Sequence, residues 1–131
     1  MFLFDAIKKQ LDFLQLKVYD GDATEAAGPP YVIIDYALAT RSDEEPVEGA
    51  PTRADVTVRA VGVNAQQART LLEACRRLLR GHTVEGEYAR YSFQLDGCPR
   101  GVVVDRTVRN RATDTNLVFV DDEYSVFIEG K

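Results

Sequence analysis

Between Arg53 and Gly81 the hydrophobic pattern changes period once, and that change limits the fold more than any other feature of the chain. RADVTVRAVGV (53–63) alternates, with Val56, Val58 and Ala60 on one face and Asp55, Thr57 and Arg59 on the other. Alternation at every second residue marks a strand with one buried face. NAQQARTLLEACRRLLRG (64–81) then repeats at helical spacing. Ala68, Leu71, Leu72, Cys75, Leu78 and Leu79 form one apolar stripe, and Arg69, Arg76, Arg77 and Arg80 are assigned to the opposite face. Asn64 suits the N-cap and Gly81 the C′ stop, while arginines in the last turns complement the helix dipole. A strand leading directly into such a helix must bury the stripe against a sheet.

The flanking segments extend this pattern. Leu3, Ile7, Leu11 and Leu14 recur at helical spacing over residues 3–15, with Asp5, Lys8, Lys9, Asp12 and Gln15 between them, which predicts a second amphipathic helix. LKVYDGD (16–22) reads as a short strand ending in a turn at Gly21. Pro29 and Pro30 lack amide donors, so they belong at the entrance of the strand YVIIDYAL (31–38) and not within a central ladder. The middle of that strand, Val32 to Ile34, is apolar on both faces. It therefore calls for cover from helices on one side and from something else, such as a neighbouring subunit, on the other. Further strands are predicted near 88–95, 101–109 and 116–129, the last with Tyr124, Val126 and Ile128 on one face. The order of elements implies a single α+β domain over residues 1–131: a mixed, largely antiparallel sheet with two amphipathic helices packed on one face. Residues 39–52, with Asp43, Glu44, Glu45 and Glu48 among Pro46, Gly49 and Pro51, make a flexible acidic loop with no core of their own.

Composition sets the class. A chain of 131 residues with 45% apolar and 28% charged side chains is ordinary globular material. It is large enough to bury a core without disulfides or metal. The net charge of −5 argues against a nucleic-acid or anionic-membrane partner. Cys75 and Cys98 form no CxxC pair, and Cys75 falls on the apolar stripe, as a buried free thiol in a reducing compartment would. MFLFDAIKKQL reaches Asp5 too soon for a signal peptide, and no run has the length of a membrane span. A soluble, cytosol-made protein is expected.

Chemistry-bearing patterns are weak. The single histidine, His82, follows a helix end, where a solvated or C-capping role is usual. A triad would have to join it to Ser42, Ser92 or Ser125, none of which sits in a nucleophile elbow. Neither glycine-rich phosphate motif occurs. GEYARYSF has the basic-aromatic mixture of a single-strand platform, yet strand alternation explains Tyr88, Arg90, Tyr91 and Phe93 equally well. Asp121-Asp122 and Asp43-Glu44-Glu45 could hold a cation loosely, although charge runs are usually solvated surface. No catalytic residue, metal or cofactor is expected.

Charge is segregated along the chain. Residues 1–68 hold 6 basic against 11 acidic side chains, residues 69–111 hold 9 against 5, and residues 112–131 hold 1 against 5. Opposite patches on one domain suit head-to-tail contacts between copies. The candidate contact residues are Asp43, Glu44, Glu45 and Glu48 on the acidic loop and Arg69, Arg76, Arg77 and Arg80 on the helix.

The KVYDG strand, PPYVIIDYA with its acidic loop, VTVRAVGVNAQQART running into LLEACRRLLRG, and the closing DEYSVFIEG together resemble the tail terminator proteins of long-tailed bacteriophages, over nearly the whole chain. The resemblance implies an α+β subunit that assembles with itself into a ring, commonly a hexamer. Such a ring stops polymerisation of the tail tube and offers a surface to head-completion or connector proteins. It implies no enzymatic activity, no cofactor and no membrane partner. It also implies a place in the virion, at the head-proximal end of the tail, after assembly in the bacterial cytoplasm. DNA would pass through the ring without being recognised. The alternatives are another neck, head–tail connector or tail-completion protein, or a small enzyme or ligand-binding domain with the Tyr88–Phe93 strand as its pocket wall.

Overall fold

One long strand organises the sheet. In the computed structural model, which describes residues 2–21, 28–39, 53–110 and 115–130, β7 (Thr115–Gly130) is paired on both edges. Along one edge runs β3 (Arg53–Gly62), antiparallel, from Arg53 opposite Phe127 to Gly62 opposite Val118. The other edge is divided. β6 (Val103–Asn110) takes the first part, with Val103 opposite Phe119, and β5 (Ala89–Gly97) takes the rest, with Ala89 opposite Gly130. β2 (Tyr31–Ala39) lies antiparallel beside β3, and β4 (Thr83–Glu85) antiparallel beside β5. The short β1 (Val18–Asp20) pairs with β2 in parallel. The order is β1-β2-β3-β7-β5-β4, with β6 sharing an edge of β7.

Both helices, α1 (Phe2–Leu11) and α2 (Ala65–Leu79), cover the same face. Leu3, Ile7 and Leu11 of α1 join Ala68, Leu71, Leu72, Cys75 and Leu79 of α2 over Val32, Ile34, Val56, Val58, Ala60, Tyr124 and Val126. This is the expected α+β arrangement. The alternation of β3 gives the reason: each apolar residue at an even position from Ala54 to Ala60 points into the core. Gln10 Nε2 donates to the Leu78 carbonyl at 2.7 Å, joining the two helices.

The start of α2 is tightly specified. Asn64 Oδ1 accepts from Gln67 N at 2.8 Å, and Gln67 Oε1 accepts in return from Val63 N at 2.8 Å. The first bond satisfies a donor that the first turn leaves free, and the second holds the amide of the residue before the N-cap. A Cβ on Gly62 would stand 2.8 Å from Ala68 N, so only glycine lets β3 pass this close to the helix. At the other end Gly81 has φ +71, the left-handed geometry expected of a C′ stop.

Several boundaries differ from expectation. The predicted helix over 3–15 ends at Leu11, and Asp12–Leu14 tighten into a 3-10 turn closed by Gln15 at φ 53. Leu11 is the last of the periodic residues to be fully buried, and beyond it the chain turns toward β1. The strand expected at 16–22 is confined to Val18–Asp20. β4 has no signature in the sequence, because three residues are too few to display a period. Pro29 and Pro30, joined by a cis bond, do precede β2 directly. The acidic loop falls almost wholly outside the described residues.

The face of the sheet away from the helices carries a smaller cluster. Tyr19, Tyr31, Val61 and Leu117 are buried there, with Ile33 and Phe119 packed against them. The rings of Tyr19 and Tyr31 meet edge to face at 5.5 Å. The two-sided apolarity of β2 is thus met by helices over Val32 and Ile34 and by this cluster around Ile33.

The phase of α2 can be tested directly. Leu72, 4% exposed, should destabilise the fold by ~2–5 kcal/mol when cut to alanine. Arg69→Ala, on the exposed side, should stay within about 0.5 kcal/mol of the parent. Denaturant titration of the two variants checks this, and equal losses would mean a wrong helix phase.

Candidate functional site

Two successive acids at the middle of β7 point to opposite faces of the sheet, and each is held by an arginine. Asp122 is 0% exposed and shares its parity with Val120, Tyr124 and Val126, so the pleat turns it under α2. Arg76 reaches down to it with two bonds, Nε to Oδ2 and Nη2 to Oδ1, both 2.6 Å. Asp121, on the other face, receives Nε and Nη2 of Arg59 at 2.8 and 3.0 Å. The Arg59 guanidinium also lies 3.8 Å from the centre of the Phe119 ring. In both pairs hydrogen bonding to the carboxylate raises the arginine's pKa above its ordinary value, although burial acts the other way.

This corrects two sequence readings. Asp121-Asp122 is not a solvated charge run but a pair of buried anchors. Arg76 does not stand with the other arginines on the outer face, because it lies one turn after Leu72 at the border of the stripe. From there its long side chain can snorkel under the helix edge. A signal was present in the sequence: an acid at the parity of three core residues, opposite an arginine bordering an apolar stripe.

The remaining candidates are more dispersed. Arg69, Arg77 and Arg80 are exposed along the outer surface of α2 and its C-terminus, as expected. Asp43, Glu44, Glu45 and Glu48 lie outside the described residues, as does Ser42. His82 is exposed, and its Nε2 lies 3.0 Å from the Arg77 carbonyl, the geometry of a C-capping side chain. Ser92 Oγ contacts Thr83 Oγ1 at 3.1 Å, and Ser125 Oγ donates to Asp96 at 2.7 Å. Neither hydroxyl is brought to the histidine by these bonds. The basic-aromatic strand divides its side chains: Tyr91 and Phe93 enter the core, whereas Arg90 turns outward to Glu85 at 3.1 Å. Among the described residues no group of three or more metal-ligating side chains occurs, and no helix is long and apolar enough to cross a membrane.

The thiols differ in environment. Cys98 is exposed, with Sγ 2.7 Å from the Arg100 carbonyl. Cys75 is buried, and desolvation, helped by the Asp122 charge, pushes its thiol up from 9.0 to about 12. Tyr124 is raised for the same two reasons. What this arrangement supports is a rigid helix–sheet junction under an exposed basic surface.

Removing one partner of the Arg76–Asp122 pair strands the other charge. Arg76→Leu should lower unfolding stability by ~3–5 kcal/mol, and adding Asp122→Leu should recover most of that loss. Thermal or denaturant unfolding of the single and double variants measures both. A second expectation concerns pH. Folding keeps Cys75 protonated to about 12 while the unfolded thiol ionises near 9.0. Its stabilising contribution is therefore full below pH 9 and declines as pH rises toward 12. Tyr124 adds to the decline. The slope should be ~1.4 kcal/mol per pH unit for each group once its unfolded form ionises. Denaturant titrations at rising pH should give a shallower decline for Cys75→Ala.

No protein-family model matches the chain, and no curated protein matches it in sequence. Among solved structures, a chain from the virion of a native gene transfer agent (GTA) particle is similar in fold, with a TM-score of 0.66 and 19% sequence identity. The likeness covers 98% of this chain and 96% of that one. The same fold thus runs essentially end to end through both.

Proposed function

We propose that this chain is a virion assembly protein: a tail-terminator subunit that joins copies of itself into a ring, most simply a hexamer, on the end of a phage tail tube. The ring stops tube polymerisation and presents the surface to which head-completion or connector proteins join. The observation that carries this reading is the end-to-end fold likeness to a chain of a phage-like virion, which agrees with the tail-terminator pattern of the sequence segments. Shape and contact would then do the work, with no cofactor. DNA would cross the ring without sequence recognition.

The basic surface of α2, with exposed Arg69, Arg77 and Arg80, serves such contacts. Arg76 serves them through the stability of the helix, since its guanidinium is taken up by Asp122. Asp43, Glu44, Glu45 and Glu48 are the acidic candidates on the loop.

Electron microscopy of the purified protein, with and without tail tube protein, tests the reading. The expected result is rings of uniform subunit number and tubes capped at one end. Tubes that elongate unchecked in its presence, together with a chain that stays monomeric, would overturn it. His82→Ala should assemble like the parent. A hydrolase or transferase activity present in the parent and lost in that variant would instead identify an enzyme.

A further inference from the structure

On the sheet face away from the helices, the outward residues of β2, β3, β7, β5 and β4 form a charged surface whose cations are largely neutralised. Arg53 is bonded to Asp55 at 3.2 Å, Arg59 to Asp121, and Arg90 to Glu85. Asp35, Glu123 and Glu129 are exposed and hold no ion pair among the described residues. Asp96, also exposed, accepts only the Ser125 hydroxyl among the bonds described. The face is therefore acidic in effect. It also holds Phe127, 48% exposed, with Arg53 opposite it on one neighbouring strand and Ser92 on the other. An exposed aromatic ringed by polar and charged side chains is the usual make-up of an interface centre and rim.

The helix side has the opposite sign. Arg69, Arg77 and Arg80 are exposed there with one exposed acid, Glu73, among them, which leaves the outer face of α2 net positive, and the three arginines hold no ion pair among the described residues. One molecule thus bears a basic surface on one side of its sheet and an acidic one on the other. Resting on the ring reading above, we infer that the basic surface of α2 docks on the acidic sheet face of a second copy of this chain, with Phe127 at the centre of the contact. The contact is heterologous, since the two surfaces differ. It closes into a ring where each step rotates by the right fraction of a turn. The sheet face, more than the acidic loop, is the acidic partner.

The test is sedimentation of the full chain at low and high salt, alone and with tail tube protein. Glu123→Lys with Glu129→Lys should weaken self-association roughly tenfold or more, and Phe127→Ala should do the same. Circular dichroism of each variant should match the parent, because all three side chains are exposed. Arg77→Glu with Arg80→Glu should also weaken it, and combining the two charge reversals should restore association. That restoration is the result a general loss of solubility would not give. Higher salt should weaken the parent contact. Parent-like rings from the sheet-face variants overturn the inference and leave the ring reading intact, and loss confined to a reversed Asp43, Glu44 and Glu45 moves the contact to the loop. Normal rings that no longer bind the tube assign the face to the tube protein instead. A parent chain that is monomeric at every concentration and neither rings nor caps tubes when tail tube protein is present overturns both readings.

Discussion

The bond between Arg76 and Asp122 fixes how the helix layer sits on the sheet. A carboxylate removed from water at the centre of a sheet is tolerable only if both oxygens are satisfied. The two-pronged guanidinium does this from one side, in a geometry that lysine could not reproduce. Because Arg76 is in the last turns of α2 and Asp122 in the middle of β7, the bond sets both the position of the helix along the strand and its rotation. That rotation in turn leaves Arg69, Arg77 and Arg80 exposed. The surface chemistry of the helix is thus a consequence of a buried interaction.

A one-residue step along β7 repeats the solution on the other face. Asp121 is bound by Arg59 from the adjacent strand, and Arg59 rests on Phe119. Consecutive acids in one strand would repel each other at a common surface. The pleat separates them and gives each its own cation. Together the two pairs tie the central strand to its neighbour and to the overlying helix without enlarging the apolar core.

Much of this fold was legible from local pattern. The alternation of β3 and the stripe of α2 are long enough for their periods to be unambiguous, and each assigns a buried face residue by residue. Val32 and Ile34 against Ile33 likewise foretold a strand covered on both sides. What escaped was of two kinds. β4 and the early end of α1 depend on where the chain must turn, which short segments do not announce. Asp121 and Asp122 were obscured by their own charge, since adjacent acids ordinarily mark solvent. Parity with Val120, Tyr124 and Val126 outweighed that rule because a partner arginine was within reach. The exposed arginines were visible in the sequence. The acidity of the opposite sheet face was not, because it arises from side chains on strands far apart in the chain and becomes apparent only when cations are matched to their partners.

The division of one edge of β7 between β6 and β5 has a kinetic side. The strand that every central pairing requires follows all of its partners in the chain order. β3 and β5 each need β7 to become part of one sheet, and the β3 pairing spans a long separation in sequence. Closure of so large a loop precedes any reward from the contacts it brings. The N-terminal elements can collapse early, as β2 and β3 pair and α2 folds over them. Yet they leave the outer edge of β3 open until β7 arrives. During synthesis the unfinished half-sheet would therefore present a strand edge of the kind that recruits other chains. Pairing with β7 along the length of β3 is what closes that edge.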